Sequence, residues 1–185
     1  MIKIEYNGIS MVFQTTPTLF SPEALDAGTR AMLSCASFTP EDKVLDLGCG
    51  YGVVGIYAAK LIGGRNVTMS DIDAAAVDAA LTNAALNGVS DIRVLQSDGF
   101  DSIDDTGYTL ILSNPPYHTD FAVAKRFIEK GFNRLAVGGK LMMVTKRRDW
   151  YKNKLIAIFG GVRIIESDGY FVFIAEKRGA RYAKK

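Results

Sequence analysis

Four short stretches of this 185-residue chain combine carboxylates or an amide with residues that open the backbone around them. They are Asp46-Leu47-Gly48-Cys49-Gly50-Tyr51-Gly52, Ser70-Asp71-Ile72-Asp73, Ser97-Asp98-Gly99-Phe100 and Ser113-Asn114-Pro115-Pro116-Tyr117-His118. In the first, glycines permit a tight turn and bring backbone amides against a ligand without Cβ interference. The run from Gly50 to Gly55 also satisfies G-x-G-x-x-G, so dinucleotide binding is one reading. Asp46 argues against it, because a carboxylate there repels a pyrophosphate and attracts an ammonium group. Asp71 lies 21 positions beyond Gly50, where a carboxylate can accept hydrogen bonds from both ribose hydroxyls. Ser97 to Phe100 offers an acceptor for an adenine amino group, with Phe100 as an aromatic wall. Any one of these aspartates alone reads better as a helix cap or turn residue; three at successive strand ends point to one site. Cys49 reads as a small buried filler rather than a thiol nucleophile, since no histidine is fixed beside it.

The fourth stretch has a different chemistry. Two prolines after a buried strand remove two N–H donors and fix the chain direction. The Asn114 side chain and the Pro115 carbonyl can then face one point, and two converging acceptors suit a planar NH₂ group. Such a nitrogen is weakly nucleophilic, and accepting both its hydrogens helps it toward an attacking, tetrahedral form. Preorganised dipoles stabilise the charge that develops there, without a strong base. Tyr117 can stack on a flat base or amide. His118 is the single histidine; an ordinary loop role competes with one in shaping the acceptor pocket. The ammonium group favoured by Asp46 could be the amino-acid end of S-adenosylmethionine; the ribose that Asp71 suits is common to it and NAD.

These residues need a scaffold that gathers them at one edge, and the periodicities supply it. Residues 2–5 and 9–13 alternate around Asn7-Gly8, which predicts a hairpin. Ser21-Pro22 predicts the start of a helix running to about 36, with Leu25, Met32 and Leu33 in the core. From residue 43 the pattern alternates: strand 44–47, helix 53–62, strand 66–70, a helix capped by Asp73 and ended by Asn87-Gly88, strands 92–95 and 108–113. Then come helix 120–135, strand 140–145 after Gly138-Gly139, helix 150–159, and an antiparallel pair at 162–165 and 170–175. Repeated β-α units predict an α/β fold, a mostly parallel sheet with helices on both faces. Ligands in such sheets bind at the carboxyl ends of the strands, where all four stretches fall. We read residues 1–185 as one domain, with residues 1–20 as a hairpin extension and 178–185 as a basic tail, frayed from Lys177 onward.

Composition narrows the function classes. The sequence is 48% hydrophobic and 23% charged, a globular balance. No apolar run approaches the ~20 residues needed to cross a bilayer, and the N-terminus lacks a signal-peptide core. Two cysteines fit a reducing cytoplasm, and one histidine with two cysteines excludes His-rich and Cys₄ metal sites. The net charge of +2 hides an asymmetry: residues 1–139 hold 10 Lys/Arg against 16 Asp/Glu, and residues 140–185 hold 12 against 4. Within the basic quarter, Lys146-Arg147-Arg148 follow the predicted fifth parallel strand, beside Asn114. Cations there would hold RNA phosphates; solubilising an exposed strand end is the plainer alternative.

With the loop at 46–52 and N-P-P-Y at 114–117, the sequence resembles the class I S-adenosylmethionine-dependent N-methyltransferases. It looks most like the small-subunit ribosomal RNA guanine-N2 methyltransferase C family. Phe20-Ser21 followed by Leu25-Asp26-Ala27-Gly28-Thr29, His118 after N-P-P-Y, and Val123-Ala124-Lys125 carry that finer likeness. The resemblance covers about residues 15–177. It implies a Rossmann-like seven-stranded sheet with an antiparallel last strand and S-adenosylmethionine as donor. Asp46, Gly48, Cys49, Gly50, Gly52, Asp71, Ile72, Asp98, Gly99 and Phe100 would surround that cofactor. Asn114, Pro115, Pro116 and Tyr117 would form the catalytic motif. Phe20, His118, Lys125, Lys146, Arg147 and Arg148 would meet the RNA, with ribosomal RNA or the small subunit as partner and no membrane; Phe20 suits core packing equally well. Bacterial members usually carry a degenerate copy of the domain in front, absent from this sequence, and Tyr117 stands where phenylalanine is common.

Other functions compete. The same acceptor geometry suits adenine N6 in RNA, or a glutamine side chain of a translation factor; the basic cluster and His118 favour RNA. A NAD-dependent oxidoreductase leaves N-P-P-Y without a use. A non-catalytic RNA-binding or chaperone module would have been free to lose the glycines or Asn114, and all are present. Monomer and homodimer both remain open.

Overall fold

The computed structural model describes residues 1–15, 24–116 and 120–183. Strands β1 (Ile2–Tyr6) and β2 (Ile9–Phe13) form a separate hairpin, turning through Asn7 and Gly8 at φ of 47° and 77°. Two consecutive positive-φ residues give the primed turn whose twist matches paired strands. Helix α1 (Ala27–Cys35) precedes β3 (Val44–Leu47), α2 (Val53–Ile62), β4 (Val67–Asp71), α3 (Ala74–Leu86), β5 (Arg93–Gln96) and β6 (Tyr108–Ser113). Then follow α4 (Phe121–Arg134), β7 (Leu135–Thr145), α5 (Asp149–Phe159), β8 (Arg163–Ser167) and β9 (Tyr170–Glu176). The seven-stranded sheet has the order β5-β4-β3-β6-β7-β9-β8. All pairings from β5 to β7 are parallel, and β9 runs antiparallel to both neighbours.

The order reverses beside β3: the chain steps outward through β4 and β5, then returns to place β6 on the other side of β3. Adjacent βα connections thus leave in opposite directions, and a crevice opens above the β3 and β6 carboxyl ends. Alternation along the buried strands divides the core. Val44, Leu112, Met142 and Val172 face α1, α2 and α3, whereas Leu45, Ile111, Met143 and Phe173 face α4 and α5.

Three expectations change. Helix α1 does not reach back through residues 24–26; it begins at Ala27, where Asp26 Oδ2 accepts from the Thr29 N–H at 2.8 Å. Ser21-Pro22 lie outside the described residues. Gly138-Gly139 do not separate α4 from the next strand but form an irregularity inside β7, where pairing shifts register between Tyr108 and Leu110. A Cβ on Gly139 would stand 2.7 Å from the Tyr108 carbonyl oxygen. The tail is docked through Ala183. Lys177 is buried, its ammonium donating to the Leu135 carbonyl at 2.8 Å over the Phe132 ring. Tyr182 packs edge-on against Phe132, and the Ala183 N–H bonds the Ile158 carbonyl.

The hairpin is gripped by side chains. Asn87 exchanges two hydrogen bonds with the Val12 backbone, and Asn83 exchanges two with Gln14. Four helical residues advance about 6 Å and two strand residues about 6.6 Å, so asparagines at i and i+4 imitate a partner strand.

Candidate active site

A cleft of about 440 Å³ lies over the β3, β4, β5 and β6 carboxyl ends. Its floor begins at Asp46, which is 3% exposed and accepts from the Gly55 N–H at 2.9 Å. Gly52 caps α2 without a side-chain oxygen, so the Asp46 carboxylate serves one of the N–H groups that a helix start leaves unpaired. Burial pushes its pKa up to about 7, with the Asp71 charge adding to the rise and the Gly55 hydrogen bond opposing it. A pyrophosphate would have to compete with this carboxylate for the start of α2, which opposes the dinucleotide reading.

The glycine loop works differently from the sequence expectation. Its amides are engaged inside the protein: Gly48 and Cys49 donate to the Ser70 carbonyl at 2.8 and 2.9 Å, and Gly50 donates to Asp71 Oδ2 at 2.9 Å. What the loop offers a ligand is room. Gly48 and Gly50 have φ of 76° and 54°, and nothing lies within 4 Å of where their Cβ atoms would be. Gly52 does not line the cleft; it makes space for Ile56 and Met69 beneath the loop. Cys49 is buried, and desolvation with the neighbouring Asp46 and Asp71 charges pushes its thiol pKa well up, consistent with a filler.

Asp71 lines the cleft with both oxygens anchored, Oδ2 by Gly50 and Oδ1 by the Asp73 N–H at 3.0 Å. Each retains a further lone pair for a ligand hydroxyl. Ile72 beside it is 62% exposed and forms an apolar edge. Asp98 and Gly99 also line the cleft, and Asp98 is held by Arg126 of α4 at 3.2 Å. Phe100 is not the aromatic wall. It is 2% exposed and packs under Phe127, whose ring takes that place together with Val123. Gly99 allows this, since a Cβ there would stand 3.3 Å from the Phe127 ring.

At the other end of the cleft, Ser113 Oγ donates to the Leu47 carbonyl at 2.8 Å, tying β6 to β3 where their ladder stops. Asn114, Pro115 and Pro116 follow as cleft lining. Asn114 Nδ2 donates to Asp26 Oδ2 at 2.9 Å and to Thr29 Oγ1 at 3.1 Å. Phe20, Tyr117 and His118 lie outside the described residues. Lys146, Arg147 and Arg148 are exposed just past β7, at the sheet end that carries Asn114. Lys146 sits 5.0 Å over the Tyr170 ring and Arg147 5.0 Å over Phe121, which stacks on Trp150 at 4.4 Å; Arg148 pairs with Asp149. Lys125 is exposed on α4 and does not line the cleft. Sequence reasoning assigned no role to Asp26 and Thr29. The cap signal of Asp26 is readable in Asp26-Ala27-Gly28-Thr29, but not its second partner.

The family model for the methyltransferase small domain matches residues 10–175, which spans this sheet, its cleft and the hairpin's second strand. The chain belongs to the methyltransferase small domain family. Among members, the ribosomal RNA small subunit methyltransferase C of Serratia proteamaculans is 36% identical over 179 residues, covering 93% of this chain and 51% of the relative. The uncharacterized protein YbxB of Bacillus subtilis is 30% identical over 171 residues, covering 89% and 85%. The solved T. thermophilus 16S rRNA N2 methyltransferase RsmC, in complex with AdoMet and guanosine, superposes with a TM-score of 0.83 at 26% identity. It covers 96% of this chain and 50% of that one. The chain thus spans about half the length of the methyltransferase C relatives it matches.

Proposed function

We propose that this protein transfers a methyl group from S-adenosylmethionine to an exocyclic amino group of an RNA base, with guanine N2 in small-subunit ribosomal RNA as the target. The observation that carries the reading is Asn114. Its Nδ2 is taken up by hydrogen bonds inside the protein, so the amide oxygen is the end left for the cleft. An acceptor at that point suits an NH₂ group and gives no help to a hydride transfer. The names of the methyltransferase C relatives, and the guanosine bound to the T. thermophilus enzyme, support the target.

The cleft fits the cofactor. Asp46 is a buried carboxylate that pairs with no Lys or Arg among the described residues, so a ligand ammonium group would complete it. Asp71 would accept from ribose hydroxyls, and Ile72, Val123 and Phe127 would flank an adenine. Bound S-adenosylmethionine supplies a methyl group activated by a positively charged sulfur. The chain's own residues orient the acceptor: the Asn114 oxygen and the Pro115 carbonyl take the two amino hydrogens and direct the nitrogen lone pair into the cleft. Both dipoles are fixed before reaction, so they stabilise the developing positive charge without reorganising. Lys146, Arg147 and Arg148 would hold flanking phosphates. On this reading one domain works in the cytoplasm, as monomer or homodimer; among the described residues no helix is long and apolar enough to cross a membrane.

The test is incubation with labelled S-adenosylmethionine and, separately, naked ribosomal RNA, small subunits and translation factors. Label in guanine of either RNA sample supports the reading. Label in a glutamine of a translation factor, or in no acceptor, overturns it.

A further inference from the structure

We infer that Asp26 and Thr29, at the start of α1, are positioning residues that lock the Asn114 amide with its oxygen toward the acceptor; this rests on the role proposed for Asn114. One carboxylate oxygen does two jobs: Asp26 Oδ2 accepts from the Thr29 N–H at 2.8 Å and from Asn114 Nδ2 at 2.9 Å. The second amide hydrogen goes to Thr29 Oγ1 at 3.1 Å. A lone asparagine amide has two orientations, related by a half-turn, that exchange its donor for its acceptor. In the flipped orientation Asn114 would oppose its oxygen to the Asp26 carboxylate and present N–H groups to the amino acceptor, two repulsive contacts at once.

The cap is itself fixed in place. Gly28 follows it in α1, and a Cβ there would lie 2.8 Å from the Tyr170 ring, so glycine lets the helix start close against β9. Thr29 is 8% exposed, which shields its hydroxyl from competing water. The pairing spans 88 and 85 residues of chain, bringing α1 to the β6 end although α1 is not part of the strand-helix succession that forms the glycine loop.

The two functions of Asp26 separate by substitution. Thr29→Val removes the hydroxyl while keeping the shape and the helix cap. Asp26→Ser keeps an oxygen that can cap α1 but is too short to reach Asn114. With small ribosomal subunits purified from cells lacking this protein and saturating labelled S-adenosylmethionine, Thr29→Val should slow single-turnover transfer about tenfold. Asp26→Ser should slow it about 30–100-fold, because it removes a charged acceptor. Cofactor affinity should not change, and Thr29→Ser should restore the rate. In an Asn114→Ala background neither substitution should cost anything further, since its only route to the reaction is gone. Nitrogen NMR of the Asn114 side chain supplies a readout free of activity: slow solvent exchange of its NH₂ in the parent chain, fast exchange in Thr29→Val.

Wild-type rates in Thr29→Val and Asp26→Ser, or losses that add in full to Asn114→Ala, would overturn the inference while the function stands. Unchanged exchange in Thr29→Val would do the same, and it decides the matter if Asp26→Ser fails to fold. A wild-type rate in Asn114→Ala itself would remove the proposed acceptor role instead.

Discussion

The two halves of the cleft are built from different materials. On the β3-β4 side, carboxylates are held by main chain: Asp46 by the Gly55 N–H, Asp71 by those of Gly50 and Asp73. On the β6 side, the Asn114 amide is held by two side chains from a helix outside the strand-helix succession. Backbone anchoring draws on residues 2, 9 and 21 positions away and survives most side-chain changes. Side-chain anchoring depends on the packing of distant elements, but it can fix which end of an amide faces the reaction. A ligand that is bound by charge and shape tolerates the first; a nitrogen that must be steered needs the second.

The sharpest break between the halves is Asn114→Ala. It should depress methyl transfer by about 10²–10³-fold, the usual effect of losing one preorganised polar group, and leave cofactor affinity nearly intact. Single-turnover rates and calorimetry on the same variant test both. Asp71→Ala is the opposite case. It should weaken S-adenosylmethionine by about 1.5–3 kcal/mol, the worth of hydrogen bonds to a charged acceptor. It also releases the Gly50 and Asp73 amides, so the melting temperature should fall as well. Unchanged affinity by calorimetry would take Asp71 out of the ribose site.

Replacing Lys146, Arg147 and Arg148 together by Ala sharpens the acceptor half from outside. RNA affinity and its salt dependence should both drop, with a slope smaller by up to about three, while cofactor binding stays. Filter binding across salt concentrations decides; an unchanged slope would make the cluster a solvated face. Arg147 also covers Phe121, so a modest loss of stability is expected beside the electrostatic one.

The mildest test lies in the cofactor half. Asp46 keeps its proton up to about 7 in the folded protein, against 3.8 ordinarily, chiefly because burial disfavours its charge. Folding therefore takes up a proton between those values, and stability contributed in acid is lost as pH rises from about 4 through 7. Asp46→Asn should flatten that slope, so that thermal melts above pH 7 are no worse than those of the parent chain. It should also weaken the cofactor and abolish the gain in affinity expected of the parent chain as Asp46 ionises through about 7. An unaltered melting profile would remove Asp46 as the titrating group.

Much of this was legible in the chain. Asn7-Gly8 set the hairpin turn, Asp73 and Asp120 cap the helices their positions predict, and the order of strands and helices led to the seven-stranded sheet. Asp46, Asp71, Asp98 and Asn114 all reach one cleft. The errors have a common cause. Phe100, Gly52 and the loop amides looked available because a sequence shows residue type and not occupancy; Phe127 covers the first, Met69 packs on the second, and Ser70 and Asp71 take the third. The tail read as frayed because its charges were visible and the docking of Lys177 and Tyr182 onto Phe132 was not.

The sequence by itself determined which groups stand at the strand ends, because period-2 and period-3.6 patterns place every loop of an α/β chain and right-handed crossovers send the βα loops to one edge. Only the tertiary structure decided which way those groups point. Asp46 could have been a plain ammonium partner, and burial beneath the start of α2 made it a helix anchor with a raised pKa. Asn114 could have presented either end of its amide, and a carboxylate 88 residues away removed the choice. Orientation is set by contacts between segments far apart in the chain, and no local pattern encodes the partner that a side chain will meet.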